Sequence, residues 1–241
     1  WAWTNRMLAA ARELGITTQV DTTISRSNLH DFDRLAELVK HLDVALWSVF
    51  CLVPMGRAAA DEGVEPAQLE SVFQRMYNLS LAAPFEVKTT AAPQYRRVML
   101  QRQVAARRAD PGRRPPRNGL GFTLPDEDGA AKGVGDGNGF LFISHAGDIY
   151  PSGFLPISAG NVRTDDVVDV YRNAPLFRAL RDRSRLKGKC GVCEYRDVCG
   201  GSRARAFAAT GDYLEADPLC THVPLRYARR MEAGGPEPLD G

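Results

Sequence analysis

The chain has 241 residues, 44% apolar and 25% charged, with 31 Lys and Arg against 29 Asp and Glu for a formal net charge of +2. That length allows one large domain or two smaller ones, with the composition of an ordinary globular protein. The charge balance gives no overall reason to expect a nucleic-acid or anionic-membrane partner, and no apolar run reaches the ~18 residues that a membrane-crossing helix needs.

The first residue, Trp1, falls inside a helical pattern, so the sequence reads as part of a longer product. Residues 1–104 alternate helix and strand. A helix over Met7 to Leu14 stops at Gly15, and Ile16 to Ile24 alternates as a strand. The next helix carries Phe32, Leu35, Val39 and Leu42 on one face, with charged residues opposite. Val44 to Pro54 is nearly all apolar, as in a strand covered on both faces. Pro66 opens a helix with Leu69, Phe73, Met76 and Ser80 on one face, and Phe85 to Thr90 is a further strand. This alternation predicts an α/β fold with a parallel sheet of about three strands, too few for a complete barrel.

Residues 105–138 are rich in Arg, Pro and Gly, including the run Gly135-Asp-Gly-Asn-Gly139 at their end, and read as a linker. A hairpin is expected where Phe140 to His145 and Asp148 to Pro151 flank Ala146-Gly147. Thr164, Asp165 and Asp166 start a helix over Val167 to Tyr171, and Leu176 to Arg181 continues as helix. The ordered region is predicted to span 139–224, with a disordered tail over 225–241.

Four of the five cysteines cluster as Cys190-x2-Cys193-x5-Cys199, with Cys220 after 20 intervening residues. A Cys-x2-Cys pair presents two thiolates to one centre, and two distant cysteines complete a tetrahedral set. Thiolates suit Zn²⁺ or an iron–sulfur cluster, and the spacing leaves both open. With no secretion-signal pattern, clustering favours a metal site over disulfides and a reduced, cytoplasmic setting. Cys51 stands alone in an apolar run and reads as a small buried residue.

The run Lys189-Cys-Gly-Val-Cys-Glu-Tyr-Arg-Asp-Val-Cys-Gly-Gly-Ser-Arg-Ala-Arg-Ala, with Asp217-Pro-Leu-Cys220, resembles the SPASM domain that ends many radical-SAM enzymes. Gly147-Asp-Ile-Tyr-Pro-Ser152 with Gly160-Asn161-Val162 is similar to the same domain. Lys88-Thr-Thr, Tyr95-Arg-Arg and Pro151-Ser-Gly-Phe-Leu-Pro resemble the branch that processes tetrapyrroles in haem biosynthesis. The resemblance implies the second part of a radical-SAM barrel followed by a small cysteine-rich domain. It further implies one auxiliary [4Fe–4S] cluster on Cys190, Cys193, Cys199 and Cys220. A second auxiliary set is missing, because Ser152 and Arg203 stand where cysteines are expected.

The Cys-x3-Cys-x2-Cys motif that holds the SAM-cleaving cluster of the family does not occur in these 241 residues. The resemblance therefore implies that S-adenosylmethionine and a second [4Fe–4S] cluster belong to an intact protein of which this chain is a fragment, inactive by itself. Hydrogen abstraction from a tetrapyrrole is the implied reaction, with a flavodoxin- or ferredoxin-type electron donor. Modification of a ribosomal peptide is the alternative, and a non-catalytic zinc module is a third reading. In a radical-SAM barrel, Thr22, Thr23 and Ser25 at a strand end would contact the nucleoside of the cofactor, and Arg57 a carboxylate. Lys88, Tyr95, Arg96 and Arg97 are candidates for tetrapyrrole propionates. Ordinary strand threonines and surface charges are the competing readings.

Overall fold

The computed structural model describes residues 2–56, 62–110, 123–125 and 131–232. The described residues fall into two compact units, one within Trp1–Leu52 and Ala59–Gly121, the other within Val53–Ala58 and Phe122–Gly241.

In the first unit the elements run α1 (Ala2–Glu13), β1 (Gln19–Ile24), α2 (Phe32–His41), β2 (Leu46–Cys51), α3 (Pro66–Ala82), β3 (Glu86–Thr90) and α4 (Gln94–Ala109). The three strands form one parallel sheet in the order β1-β2-β3. The central strand β2 buries Trp47, Ser48, Val49 and Cys51, which accounts for its unbroken apolar run. The α2 stripe buries Phe32, Ala36 and Val39, and the Phe32 ring lies 5.4 Å from that of Trp47. Pro66 occupies the first turn of α3, where Gln68 reaches back to the backbone N–H of Glu65 at 3.0 Å. The same helix buries Leu69, Phe73, Met76 and Ser80 as its period requires.

The helix α4 departs from the sequence reading. It runs to Ala109, past the linker start expected at 105, because its arginines are good helix formers and its apolar positions recur on one face. Tyr95, Val98 and Met99 are buried there, and Arg97 is 3% exposed. Arg97 donates to Glu70 at 3.0 Å and to Gln101 at 2.8 Å, so Tyr95 and Arg97 are core residues and not surface charges.

The second unit contains a two-stranded antiparallel ladder of β4 (Thr123–Pro125) and β5 (Ala131–Gly133). A three-stranded antiparallel sheet follows, made of β6 (Phe142–Ile143), β7 (Asp148–Tyr150) and β8 (Gly160–Asn161). The β6–β7 turn falls at Ala146-Gly147 as expected, and Asn161 holds it by donating to the Ala146 carbonyl and the Asp148 carboxylate. Next come α5 (Val167–Asn173), α6 (Pro175–Arg181), α7 (Gly188–Gly191), α8 (Arg203–Thr210) and α9 (Leu225–Glu232). Asp166 caps α5 by accepting the Asp169 N–H at 2.7 Å.

Among the described residues of this unit, Ile149, Val170 and Phe177 form one apolar cluster and Leu186, Cys190 and Leu214 another, with Leu155, Leu180, Ala204 and Ala206 also buried. Two expectations are corrected here. The run Gly135 to Gly139 is not linker: Gly135 pairs with Asn138, the Gly137 N–H donates to the Pro151 carbonyl, and Asp136 accepts the Ala204 N–H at the start of α8. The tail expected to be disordered from 225 forms helix α9 through Glu232, because Leu225, Ala228 and Met231 recur at helical spacing among arginines. Residues 111–122, 126–130 and 233–241 lie outside the described residues. No helix among the described residues is long and apolar enough to cross a membrane.

Candidate metal centre

The four clustered cysteines sit on short elements tied together by backbone and side-chain bonds. Cys190 lies in the single turn of α7, closed by Gly191 N–H to Lys187 O at 2.9 Å. The chain then coils, with Cys193 N–H to Cys190 O at 3.5 Å and Cys199 N–H to Tyr195 O at 2.9 Å. Cys220 arrives from the loop after α8. Lys189 Nζ donates to the Cys220 carbonyl at 2.9 Å, and the Cys220 N–H donates to the Asp217 carbonyl at 3.2 Å. Asp217 in turn accepts the Ser202 N–H at 2.6 Å and pairs with Arg205. Residues 31 positions apart are thereby held to one place.

None of the four, nor the buried Cys51, is in a disulfide. Burial pushes the Cys193 thiol up to about 11 and the Cys199 thiol up to about 12. Charge on Cys190 and Cys220 pushes both in the same direction.

Three donors aim at sulfur. The Tyr195 N–H reaches Cys193 Sγ at 3.4 Å, the Gly201 N–H reaches Cys199 Sγ at 3.4 Å, and Arg203 Nη2 reaches Cys190 Sγ at 3.8 Å. Donors to sulfur favour a ligated thiolate over a neutral thiol. The donor set and its surroundings therefore fit a thiolate-bound metal group.

A mixed donor set overlaps this one. Ligand atoms of Cys193, Glu194 and His222 lie within 4.8 Å of one another, and His222 Nε2 contacts Glu194 Oε1 at 2.9 Å. Sequence reasoning missed Glu194 and His222, although each is within two residues of a candidate ligand. A cavity of about 320 Å³ opens beside them, lined by Cys193, Glu194, Arg196, Asp197 and Arg226 among others.

Ser152 and Arg203, standing in cysteine-like positions, have other work. Ser152 is 2% exposed and its Oγ accepts the Phe154 N–H at 3.2 Å, closing a turn. Arg203 is 2% exposed and donates to the carbonyls of Tyr213 at 2.9 Å and Glu215 at 2.6 Å.

In the first unit, Thr22, Thr23 and Ser25 lie at the carboxyl end of β1. Thr22 Oγ1 accepts the indole N–H of buried Trp47 at 2.9 Å. The Thr23 side chain is exposed, while its carbonyl and the Ser25 N–H are bridged by the Asn28 amide at 2.8 and 2.9 Å. Ser25 Oγ pairs with Ser27 Oγ at 2.7 Å. Asn28, which organises this edge, was not singled out from sequence. At the corresponding end of β3, Ala91 adopts φ +57, a conformation L-residues rarely take outside constrained sites. Arg57 lies outside the described residues.

No known protein-family profile matches the chain. The solved structure of Streptococcus suis SuiB bound to S-adenosylmethionine superposes with a TM-score of 0.56 at 16% identity, covering 91% of this chain and 48% of that one. At that identity the likeness concerns the fold alone. The AdoMet-dependent heme synthase of Methanosarcina barkeri is 38% identical over 215 residues, 88% of this chain and 58% of that protein. The enzyme of the same name from Nitratidesulfovibrio vulgaris is 37% identical over 226 residues, 92% of this chain and 58% of that protein. A PqqA peptide cyclase of Bradyrhizobium diazoefficiens is 34% identical over 97 residues, 38% of this chain and 26% of that protein.

The relatives place the chain among radical-SAM proteins. Within that class it is a homologue of the AdoMet-dependent heme synthases. The chain spans 58% of the length of the first two of these relatives.

Proposed function

We propose that the chain is the auxiliary-cluster portion of a radical-SAM enzyme acting on a tetrapyrrole, with one [4Fe–4S] cluster held by Cys190, Cys193, Cys199 and Cys220. The observation that carries this reading is the set of donors aimed at the sulfurs of Cys190, Cys193 and Cys199, with Cys220 tied to the same segment through Lys189. When bound, the cluster supplies a one-electron relay. Four protein sulfurs leave no ligand position for substrate, so the residues hold a closed relay and not a binding centre. Ser152 and Arg203, engaged with backbone, support one auxiliary cluster over two.

In this reading residues 1–104 supply part of the barrel and 139–224 the cluster domain. Thr23 and Ser25 line the nucleoside site at the sheet's carboxyl edge, with Thr22 bracing it through Trp47. Arg57 joins them on sequence grounds. The SAM-cleaving cluster comes from residues beyond these 241, and a flavodoxin or ferredoxin supplies electrons. The tetrapyrrole substrate is supported by the heme-synthase relatives.

A ribosomal peptide is the second reading. It is favoured by the partial match to PqqA peptide cyclase and by the fold shared with SuiB, one structure of which holds the precursor peptide SuiA.

Metal and sulfide analysis of the anaerobically purified chain tests the cluster. The expected result is about four irons and four sulfides with a brown ~400 nm band, lost in Cys193→Ala. One zinc and no sulfide would overturn the relay and leave a structural metal site.

A further inference from the structure

Two guanidinium groups press on the cysteine site from within the protein. Arg203, the first residue of α8, is 2% exposed. Its polar contacts are the carbonyls of Gly201, Tyr213 and Glu215, at 3.3, 2.9 and 2.6 Å, and the Cys190 sulfur at 3.8 Å. Arg183, in the short 3-10 turn after α6, lies against the backbone of Gly200. It feels Cys199 as an attractive charge and Arg203 as a repulsive one.

Gly200 and Gly201 make this approach possible. Both have positive φ, +68 and +67. A Cβ on Gly200 would fall 2.0 Å from Arg183 Nη1, and one on Gly201 would fall 2.6 Å from Arg203 Nη2 and 3.1 Å from Cys190 Sγ. The backbone is bare where the guanidinium groups and the thiols meet.

Two cations withdrawn from water beside one another are unfavourable unless negative charge compensates them. Asp217 is already engaged by Arg205 and by backbone amides. Asp136 and Asp197 attract Arg183, while Arg203 feels Asp212 and Asp217 from a distance and has only carbonyls and the Cys190 sulfur as direct polar contacts. Four neutral thiols would add no negative charge where the two cations approach the sulfurs. A cluster on four thiolates carries net negative charge that grows on reduction, so the same cations favour the reduced form.

We propose that Arg183 and Arg203 are positioning residues that raise the reduction potential of the cluster held by Cys190, Cys193, Cys199 and Cys220. The inference rests on the [4Fe–4S] reading above. The step concerned is uptake of one electron from an external flavodoxin- or ferredoxin-class donor, with the proton inventory unchanged. Arg203 acts through Cys190, and Arg183 through Cys199.

The test is an EPR-monitored redox titration of the anaerobically reconstituted 241-residue chain, with iron and sulfide measured on every sample. Arg203→Met and Arg183→Gln each lower the reduced-to-oxidised ratio at fixed potential about tenfold, a fall of about 59 mV for a one-electron couple. Arg203→Lys and Arg183→Lys, which keep the charge, recover most of that shift. Arg183 is only half-buried, so its variants decide the matter even if Arg203→Met fails to fold. A fully loaded Arg183→Gln protein with the unchanged potential of the parent overturns the proposal while leaving the cluster reading intact. A parent chain that binds zinc and no sulfide overturns both.

Discussion

Arg205 and Asp217 form a two-point ion pair inside the cysteine domain, with Nε to Oδ1 and Nη2 to Oδ2 both at 3.0 Å and side chains 3% and 0% exposed. Burial alone would raise the Asp217 carboxyl. The Arg205 guanidinium and the N–H of Ser202 outweigh that and hold it below the usual carboxylate range. The pair joins helix α8 to the segment that delivers Cys220.

Breaking that pair from one side leaves a buried charge without its partner. Asp217→Asn is expected to cost about 3–5 kcal/mol in urea unfolding, whereas the double change Arg205→Met with Asp217→Leu should lie closer to the parent. Cys220 depends on this segment, so metal content of Asp217→Asn should fall as well. A stable Asp217→Asn protein with full metal would show that Lys189 and the backbone suffice to hold Cys220.

Gly201 and Gly211 share positive φ, +67 and +79, but differ in surroundings. Nothing lies within 4 Å of a Cβ on Gly211 at the end of α8, so Gly211→Ala should cost only the backbone strain of about 1–2 kcal/mol. A Cβ on Gly201 meets Arg203, Asp217 and Cys190 at 2.6, 2.9 and 3.1 Å. Gly201→Ala therefore adds about 1–3 kcal/mol of overpacking and should reduce metal loading. Thermal denaturation with metal analysis of both variants checks this, and equal effects would sink the argument.

The legible parts of this protein were those whose signal is local. The periodicity of α2 and α3, the apolar run of β2 and the two-residue gap between Cys190 and Cys193 each lie in one stretch of chain. What escaped depends on partners far away in sequence. Helix α4 was obscured because its buried face is interleaved with arginines, one of which, Arg97, is buried in an ion pair with Glu70 on α3, 27 residues away. Asp136 looked like part of a glycine-rich linker, and its role appears only when the Ala204 N–H, 68 residues on, is brought to it. The meaning of Arg203 was half visible. Its place in the cysteine pattern marked a missing ligand, but its contacts with three carbonyls and a sulfur required the fold.

Thr22 and Thr23 are neighbours that the strand sends in different directions. Thr22→Val removes the only acceptor described for the buried Trp47 indole N–H and should cost about 1–3 kcal/mol. Thr22→Ser should recover most of that. Thr23→Val alters an exposed side chain and should stay within about 0.5 kcal/mol. Unfolding followed by tryptophan fluorescence measures all three, and an unperturbed Thr22→Val protein would return Thr22 to the candidates for cofactor contact alone.

Metal removal should divide the molecule. Among the described residues, the cysteine segment buries few apolar side chains, Leu186, Cys190, Leu214 and the small Ala204 and Ala206, whereas the first unit buries Trp47, Phe73, Met76 and other large side chains around a parallel sheet. A core that small supplies little hydrophobic stabilisation, and ligation by four cysteines from residues 190 to 220 takes its place. Anaerobic chelation of the metal, followed by hydrogen exchange, should therefore speed exchange over residues 183–220 by at least tenfold. Amides of β1, β2, β3 and α3 should change less than twofold. Uniform acceleration across both units would mean that the metal stabilises the whole chain as one cooperative body, and no change at 183–220 would mean that the Arg205–Asp217 pair and the Arg203 contacts hold the segment without it.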